Sequence, residues 1–347
     1  MSRRIEEGTG HYRTYNFSVT FTTSAPTRID LAGGTIDIWP LYLFHPGAQT
    51  LNAAISIRAH ARIEPRQDSR IVLRSEDTGR SVEASHWSEL RTQPELRLLS
   101  LIAHFFEAHS LTLTTTSESP AGAGIAGSSA LNVAVCAALA DWSRRHYEPE
   151  ALLQIAMNIE AQVINVPTGL QDYRPALYGG VAALELEVDG IHRVPLDIDI
   201  AELEKRLVLC YTGEPRNSGT NNWEITKKHI DGDRHVFDCF ERIRDTAASM
   251  REALGRGDWD AVSRAIADEW ENRKRLAPGV TTAAIEDLIA RAKAAGATAA
   301  KVCGAGGGGC MFCYGPPDQR DAIAAALTQG GARLLDFQIE RHGLTRG

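Results

Sequence analysis

Three segments of the sequence combine residue types that could do chemistry. The first, Pro120-Ala-Gly-Ala-Gly-Ile-Ala-Gly-Ser-Ser-Ala130, is a loop of Gly, Ala and Ser that runs straight into an apolar, Ala-rich stretch. Glycines let backbone N–H groups approach a ligand closely, and the start of a following helix adds a positive end, so together they make an anion site suited to phosphate. Ser128 or Ser129 at that helix start could equally cap the helix or ligate a magnesium ion that bridges phosphates. A Walker loop is excluded, because G-x-x-x-x-G-K-[ST] needs a Lys and residues 120–141 contain none. The second segment is Lys301-Val-Cys-Gly-Ala-Gly-Gly-Gly-Gly309. Gly304, Gly306 and Gly309 fit G-x-G-x-x-G, but the following residues 310–314 read as a strand rather than a helix, so the dinucleotide reading fails on context. A glycine run between two strands instead lets two backbones, or a backbone and a phosphate, come close. The third is Thr168-Gly-Leu-Gln-Asp-Tyr-Arg174, which follows a helical stretch carrying Glu160. Alone, Asp172 there reads as a turn former and Glu160 as a solvated helix residue.

The elements that must hold these segments follow from periodicity. Residues 19–74 alternate short apolar runs with turn residues and read as strands, 53–62 and 70–74 among them. A helix is expected over 94–109, a strand over 111–117, helices over 130–146 and 149–163, and a strand over 179–188. The turn at Asp189-Gly190 and then Pro195 mark the expected change of domain, giving an N-terminal unit 1–195 and a C-terminal unit 196–347. In the second half we expect a strand over 206–211, helices over 221–255, 258–276 and 282–295, strands over 298–303 and 310–314, a helix over 317–329 and a closing strand over 332–338. Both halves are α+β mixtures.

Charge and composition narrow the class. The 347 residues carry 37 Lys+Arg against 44 Asp+Glu, a formal charge of −7, which argues against a dedicated nucleic-acid binder. With 43% hydrophobic and 23% charged residues, the chain has the make-up of a folded globular protein. No apolar run reaches the roughly 18 residues of a membrane span, and the acids near the N-terminus stand where an export signal needs an apolar core, so a cytoplasmic location is expected. The cysteines are too scattered for a disulfide framework. Cys310 and Cys313 form a C-x-x-C inside an apolar stretch and offer half the ligands that zinc needs, so buried thiols are expected.

Taken together and in order, the segments resemble the GHMP kinase family, named for galactokinase, homoserine kinase, mevalonate kinase and phosphomevalonate kinase. Pro26-Thr-Arg-Ile-Asp-Leu-Ala-Gly-Gly-Thr-Ile-Asp-Ile-Trp39 looks like the family's substrate motif, residues 120–130 like its phosphate loop, 169–173 like its catalytic-Asp segment and 301–309 like its C-terminal glycine motif. The first motif, the Gly-Leu-Gln-Asp-Tyr turn and Tyr211-Thr-Gly-Glu-Pro-Arg216 look most like the branch of D-glycero-D-manno-heptose 7-phosphate kinases, which phosphorylate an anomeric hydroxyl. The resemblance implies a two-domain α+β fold, with an N-terminal domain of a type shared with a ribosomal protein, a ferredoxin-like C-terminal domain, and ATP between them with Mg2+. It implies Asp172 as the acid that takes the substrate hydroxyl proton, Arg28 beside it, and Glu160 and Ser128 on the magnesium. Pro120, Gly122, Gly124, Ala126, Gly127, Ser128 and Ser129 then form the phosphate loop. Asp37 is the expected sugar-hydroxyl acceptor, with Gly33, Gly34, Thr35, Gln171, Tyr173, Arg174, Arg216, Gly306 and Gly307 around the substrate.

Phosphoryl transfer asks chiefly for charge neutralisation and an aligned nucleophile, so loop amides, a magnesium ion and one acid are a sufficient kit. The chain departs from the family pattern in three places. Ala126 and Gly127 stand where many members have Gly and Ser, leaving the metal serine as Ser128 or its neighbour. Ile36 separates Thr35 from Asp37. Leu170 stands where the heptose branch often has Lys, and Arg174 follows the Asp. The implied partner is a small sugar or sugar phosphate, with no nucleic acid and no membrane. The oligomer stays open, a homodimer among the options. Other readings are a kinase of a mevalonate-like alcohol, from which the carboxylate of Asp37 steers away, and a non-catalytic binding protein.

Overall fold

The computed structural model describes residues 20–166, 168–215 and 218–347. The N-terminal half builds one mixed sheet from β1 (Phe21–Ala32), β2 (Gln49–Pro65), β3 (Ile71–Ser75), β4 (Arg80–Ala84) and, after helix α1 (Arg97–Phe105), β5 (Leu111–Ser117). Helices α2 (Gly127–Trp142), α3 (Pro149–Ile164) and α4 (Tyr173–Tyr178) follow, then β6 (Val181–Glu187) and β7 (Gly190–Pro195). The expected domain turn at Asp189-Gly190 is a hairpin: Glu187 pairs with Gly190, and β7 stays in this sheet.

The second half holds α5 (Ile200–Arg206), β8 (Leu207–Tyr211), α6 (Ser218–Ile230), α7 (Arg234–Arg256), α8 (Trp259–Lys274), α9 (Ala283–Ala294), β9 (Ala299–Val302), β10 (Cys310–Tyr314), α10 (Arg320–Gln329) and β11 (Arg333–Leu334). Its sheet runs β11-β8-β10-β9, antiparallel throughout, and β12 (Thr345–Arg346) returns to pair with β1. The single helix expected over 221–255 is two, because Gly232 takes φ 86° and the Asp233 side chain caps the next helix by accepting from the N–H groups of His235 and Val236. Asp258 and Thr282 cap α8 and α9 in the same way. The strand expected over 332–338 shrinks to Arg333–Leu334.

Two features position the site. The long β2 pairs with β1 along one edge, while its other edge is shared between β6 at residues 49–53 and β5 at 59–65. Register irregularities between Pro26 and Thr27 and between Asp30 and Ala32 bracket the segment of β1 that carries Arg28 and Asp30, as bulges beside functional sites commonly do. Helix α2 is buried on nearly all sides, which its Ala-rich sequence permits, and it runs across β1 and β2 with its N-terminus at the loop after β5. One apolar core lies between the first sheet and α1–α3; another joins the two sheets, with Ile29 and Leu31 of β1 in the same cluster as Met250 and Phe312. All six cysteines are buried, and among the described residues none is in a disulfide. No helix among those residues is long and apolar enough to cross a membrane.

Candidate active site

Arg28 anchors the site from β1. Its side chain is 1% exposed, and it donates through Nη1 to the carbonyl of Gly124 at 3.0 Å, which ties the strand to the glycine loop. Its Nε donates to Asp172 Oδ1 at 3.0 Å, and Nη2 reaches the same oxygen. Burial works against the guanidinium charge, but Asp172 and then Asp30 outweigh it and hold the Arg28 pKa above its usual value. Asp172, 23% exposed, is the end of this pair that opens into a cleft.

The cleft measures about 430 Å³ and is lined by Pro120, Gly122, Gly124, Ala126, Gly127, Ser128, Ser129, Glu160, Thr168, Gly169 and Asp172, among others. Helix α2 starts at Gly127, after Ala126 in the left-handed region at φ 62° and without a side-chain cap. Ser128 and Ser129 therefore lie inside the first turn rather than capping it, and its backbone donors are left for an anion. Ser128 is exposed on the cleft wall, whereas Ser129 is buried and donates through Oγ to Glu160 Oε2 at 3.0 Å. Tyr173 donates to the same oxygen at 2.6 Å. Burial, reinforced by the charge of Asp172, raises the Glu160 carboxyl above its ordinary value despite these donors.

The donor set fits a magnesium ion, which takes only one or two carboxylates from the protein and keeps phosphate and water ligands. Glu160 offers a carboxylate that a cation would compensate, and Ser128 an accessible hydroxyl. Among the described residues no three His, Cys, Asp or Glu side chains converge on a metal position, so most ligands of such an ion would come from elsewhere.

Asp37 sits behind the turn at residues 169–173. Its Oδ2 accepts from the N–H of Gln171 at 2.9 Å, while Oδ1 is buried without a partner among the described residues, as is Gln171 Oε1. Burial, then the neighbouring Asp172, pushes the Asp37 pKa up to about 6. The glycine motif packs against the phosphate loop: the Cys310 N–H donates to the Ala123 carbonyl at 2.6 Å, and Gly309, at φ 80°, has no room for a Cβ, which would lie 2.6 Å from that oxygen. Close backbone approach, expected from the glycine run, is thus realised between the two loops.

Several residues expected around the substrate make contacts within the protein. Arg174 is buried and donates to Glu150 Oε2 at 2.6 Å and to the Leu170 carbonyl at 3.4 Å, joining the turn to α3. Tyr173 is spent on Glu160. A Cβ on Gly33 would meet the Gln49 carbonyl at 2.0 Å, and Gly307 donates its N–H to the Val280 carbonyl at 2.8 Å, against which Gly306 also packs. Thr35 is buried at φ 74°. Arg216 lies outside the described residues. Missed in the sequence was a buried charge cluster behind Arg28, formed by Asp30, Glu269, Arg273 and Lys301. Its sequence signal was the Arg28/Asp30 pair: two charges two residues apart, hence on one face, in an otherwise uncharged strand.

Comparison with known proteins points to one family. The GHMP kinases N terminal domain matches residues 96–180, and GHMP kinases C terminal matches residues 250–333. The chain is 30% identical to D-glycero-alpha-D-manno-heptose 7-phosphate kinase of Campylobacter jejuni subsp. jejuni over 94% of this chain and 98% of that protein. It is 25% identical to the mevalonate kinase of Thermococcus sibiricus over 92% of this chain and 96% of that one. Among solved structures it is similar to a D-glycero-D-manno-heptose 1-phosphate kinase from Bacteriodes thetaiotaomicron, with a TM-score of 0.76, 25% identity and coverage of 94% of this chain and 98% of that one. With the fold, the order of the motifs and a relative of this identity in agreement, the chain belongs to the GHMP kinase family.

Proposed function

We propose that the protein transfers the γ-phosphate of ATP to the anomeric hydroxyl of a heptose 7-phosphate. The observation that carries this reading is the Arg28–Asp172 pair, buried at one end and open at the other to a cleft whose wall is the glycine loop and the first turn of α2. When bound, magnesium would neutralise charge on the transferring phosphate; Glu160 and Ser128 are the residues that would hold it. Backbone N–H groups of residues 124–129 bind the phosphates, the Ala123 N–H donating to the Pro120 carbonyl. Arg28 orients Asp172, which accepts a hydrogen bond from the attacking hydroxyl and takes its proton as the new P–O bond forms. Asp37 is the proposed acceptor of a neighbouring sugar hydroxyl through its unpartnered Oδ1, a contact that requires the residues 169–171 turn to shift, because that oxygen is fully buried behind it. The heptose relatives favour a phosphorylated substrate. Because Arg174 is already paired with Glu150, Arg216 is the residue to test for the substrate phosphate. In this reading the catalytic acid and phosphate loop belong to residues 1–195 and the glycine motif to residues 196–347.

The test is ADP release with Mg-ATP across heptose 7-phosphates, free heptoses, hexoses and mevalonate. Turnover confined to a heptose 7-phosphate is the expected result. Turnover on mevalonate, or on free sugars in preference to the phosphate, overturns the substrate assignment.

A further inference from the structure

Behind the cleft, charged side chains from both halves of the chain meet at Asp30. This carboxylate is fully buried; it accepts from Lys301 Nζ at 3.0 Å, from the Gly304 N–H at 2.9 Å and from Arg28 Nη1 at 3.2 Å, and Arg273 Nη1 stands 3.5 Å away. Lys301 is equally buried. Its other neighbours are the Leu31 carbonyl at 3.4 Å and Glu269 Oε1 at 3.6 Å. With Asp172 included, Arg28, Arg273 and Lys301 balance Asp30, Glu269 and Asp172.

Arg28 is the shared member. Its Nε and Nη2 serve Asp172, while Nη1 serves Asp30 and the Gly124 carbonyl. Two carboxylates therefore draw on one guanidinium in a region with little water, where an unbalanced charge acts strongly. Burial pushes the Asp30 pKa up, yet Lys301 first, then Arg28 and Arg273, hold it well below the usual carboxylate range. The surroundings leave little slack: a Cβ on Gly34 would lie 2.0 Å from Arg273 Nη1 and 2.8 Å from Asp30 Oδ2.

We propose that Lys301 is a positioning residue for phosphoryl transfer: by neutralising Asp30 from the C-terminal half, it leaves the Arg28 guanidinium to Asp172. The proposal rests on the reading of Arg28 and Asp172 as the catalytic pair. Without the Lys301 charge, Asp30 pulls the guanidinium toward its Nη1 side, and Asp172 loses the orientation on which the hydroxyl depends. The strand that leads into the glycine motif thereby acts on a proton transfer that it does not touch.

The test compares Lys301→Met, Lys301→Arg, the double variant Asp30→Asn/Lys301→Met and Asp172→Asn in ADP release with Mg-ATP and heptose 7-phosphate, alongside thermal unfolding. Lys301→Met is expected to lower kcat by about 10²-fold, the scale of a small misplacement of a catalytic group. The KM for ATP should stay within about threefold, because ATP-binding groups are untouched. Lys301→Arg restores most of the loss. The double variant turns over about tenfold faster than Lys301→Met, since the competing carboxylate is gone, a coupling of ordinary size for contacting residues. A merely structural role gives the opposite order, because the double variant loses two buried groups. Lys301→Gln, which removes the charge but leaves a polar donor, carries the same expectations if Lys301→Met does not fold. Wild-type kcat in Lys301→Met or Lys301→Gln, or a double variant no faster than the single one, overturns the proposal while leaving the catalytic pair standing. Full activity in Asp172→Asn overturns the catalytic reading itself.

Discussion

Asp37 allows one substitution to separate stability from function. Its carboxyl is fully buried, and only one of its oxygens has a partner among the described residues. Its pKa is pushed up to about 6 from an ordinary 3.8, by burial and then by Asp172. A carboxyl raised in the folded state favours folding when protonated. Its contribution is therefore complete below the unfolded value and is lost as pH rises through the folded one. At about 1.36 kcal/mol per unit, a difference of roughly two units makes the ionised side chain cost about 3 kcal/mol at pH 8 and about half of that at pH 5. Asp37→Asn removes the charge, while an amide oxygen can still accept from the Gln171 N–H. The ligand-free variant should therefore be more stable than the wild type by about 3 kcal/mol at pH 8 and by about half as much at pH 5. In the same variant, sugar-dependent kcat/KM should fall by about 10- to 100-fold, as expected for losing a hydrogen bond to a charged acceptor. Paired urea titrations at the two pH values, followed by circular dichroism, measure the first effect, and taking the difference between variants cancels the titrating groups that do not interact with Asp37. A variant less stable than the wild type at pH 8, or one whose advantage is the same at both pH values, refutes the reasoning.

Gly309→Ala drives a Cβ against the Ala123 carbonyl at φ 80°. It should cost about 1–2 kcal/mol for the left-handed backbone and about 1–3 kcal/mol for overpacking, and raise the KM for ATP more than that for the sugar; thermal unfolding and steady-state kinetics check both. Glu160→Gln should raise the magnesium concentration needed for half-maximal rate at least about tenfold, since loss of even an outer-shell partner costs that much. A magnesium titration at saturating ATP decides it.

Part of this site is legible because its chemistry is local: the glycine loop before an Ala-rich helix declares itself within a dozen residues, whereas Asp172, alone a turn former, takes its expected role only from the resemblance. The Arg28–Asp172 pair joins residues far apart in sequence and was reached only through resemblance. The Asp30–Lys301 cluster was not reached at all. Its members come from β1, α8 and β9, and each alone reads as an ordinary charge, so only their shared burial between the two halves gives them meaning. The same holds for Arg174, where nothing in the sequence announced that Glu150 would claim it. Two helix starts were legible, because Asp258 and Thr282 act on their own neighbours and stand at the expected first residues 258 and 282, whereas the break capped by Asp233 falls inside the single helix expected over 221–255.

The proposed role of Asp172, held by Arg28 at the edge of the cleft, is to handle the proton of the attacking hydroxyl. It is tested most directly by the kcat of Asp172→Asn for ADP release with heptose 7-phosphate at saturating Mg-ATP. We expect a fall of about 10²- to 10⁴-fold, the range for a lost general base, with ATP binding retained. A variant that turns over at the wild-type rate contradicts it.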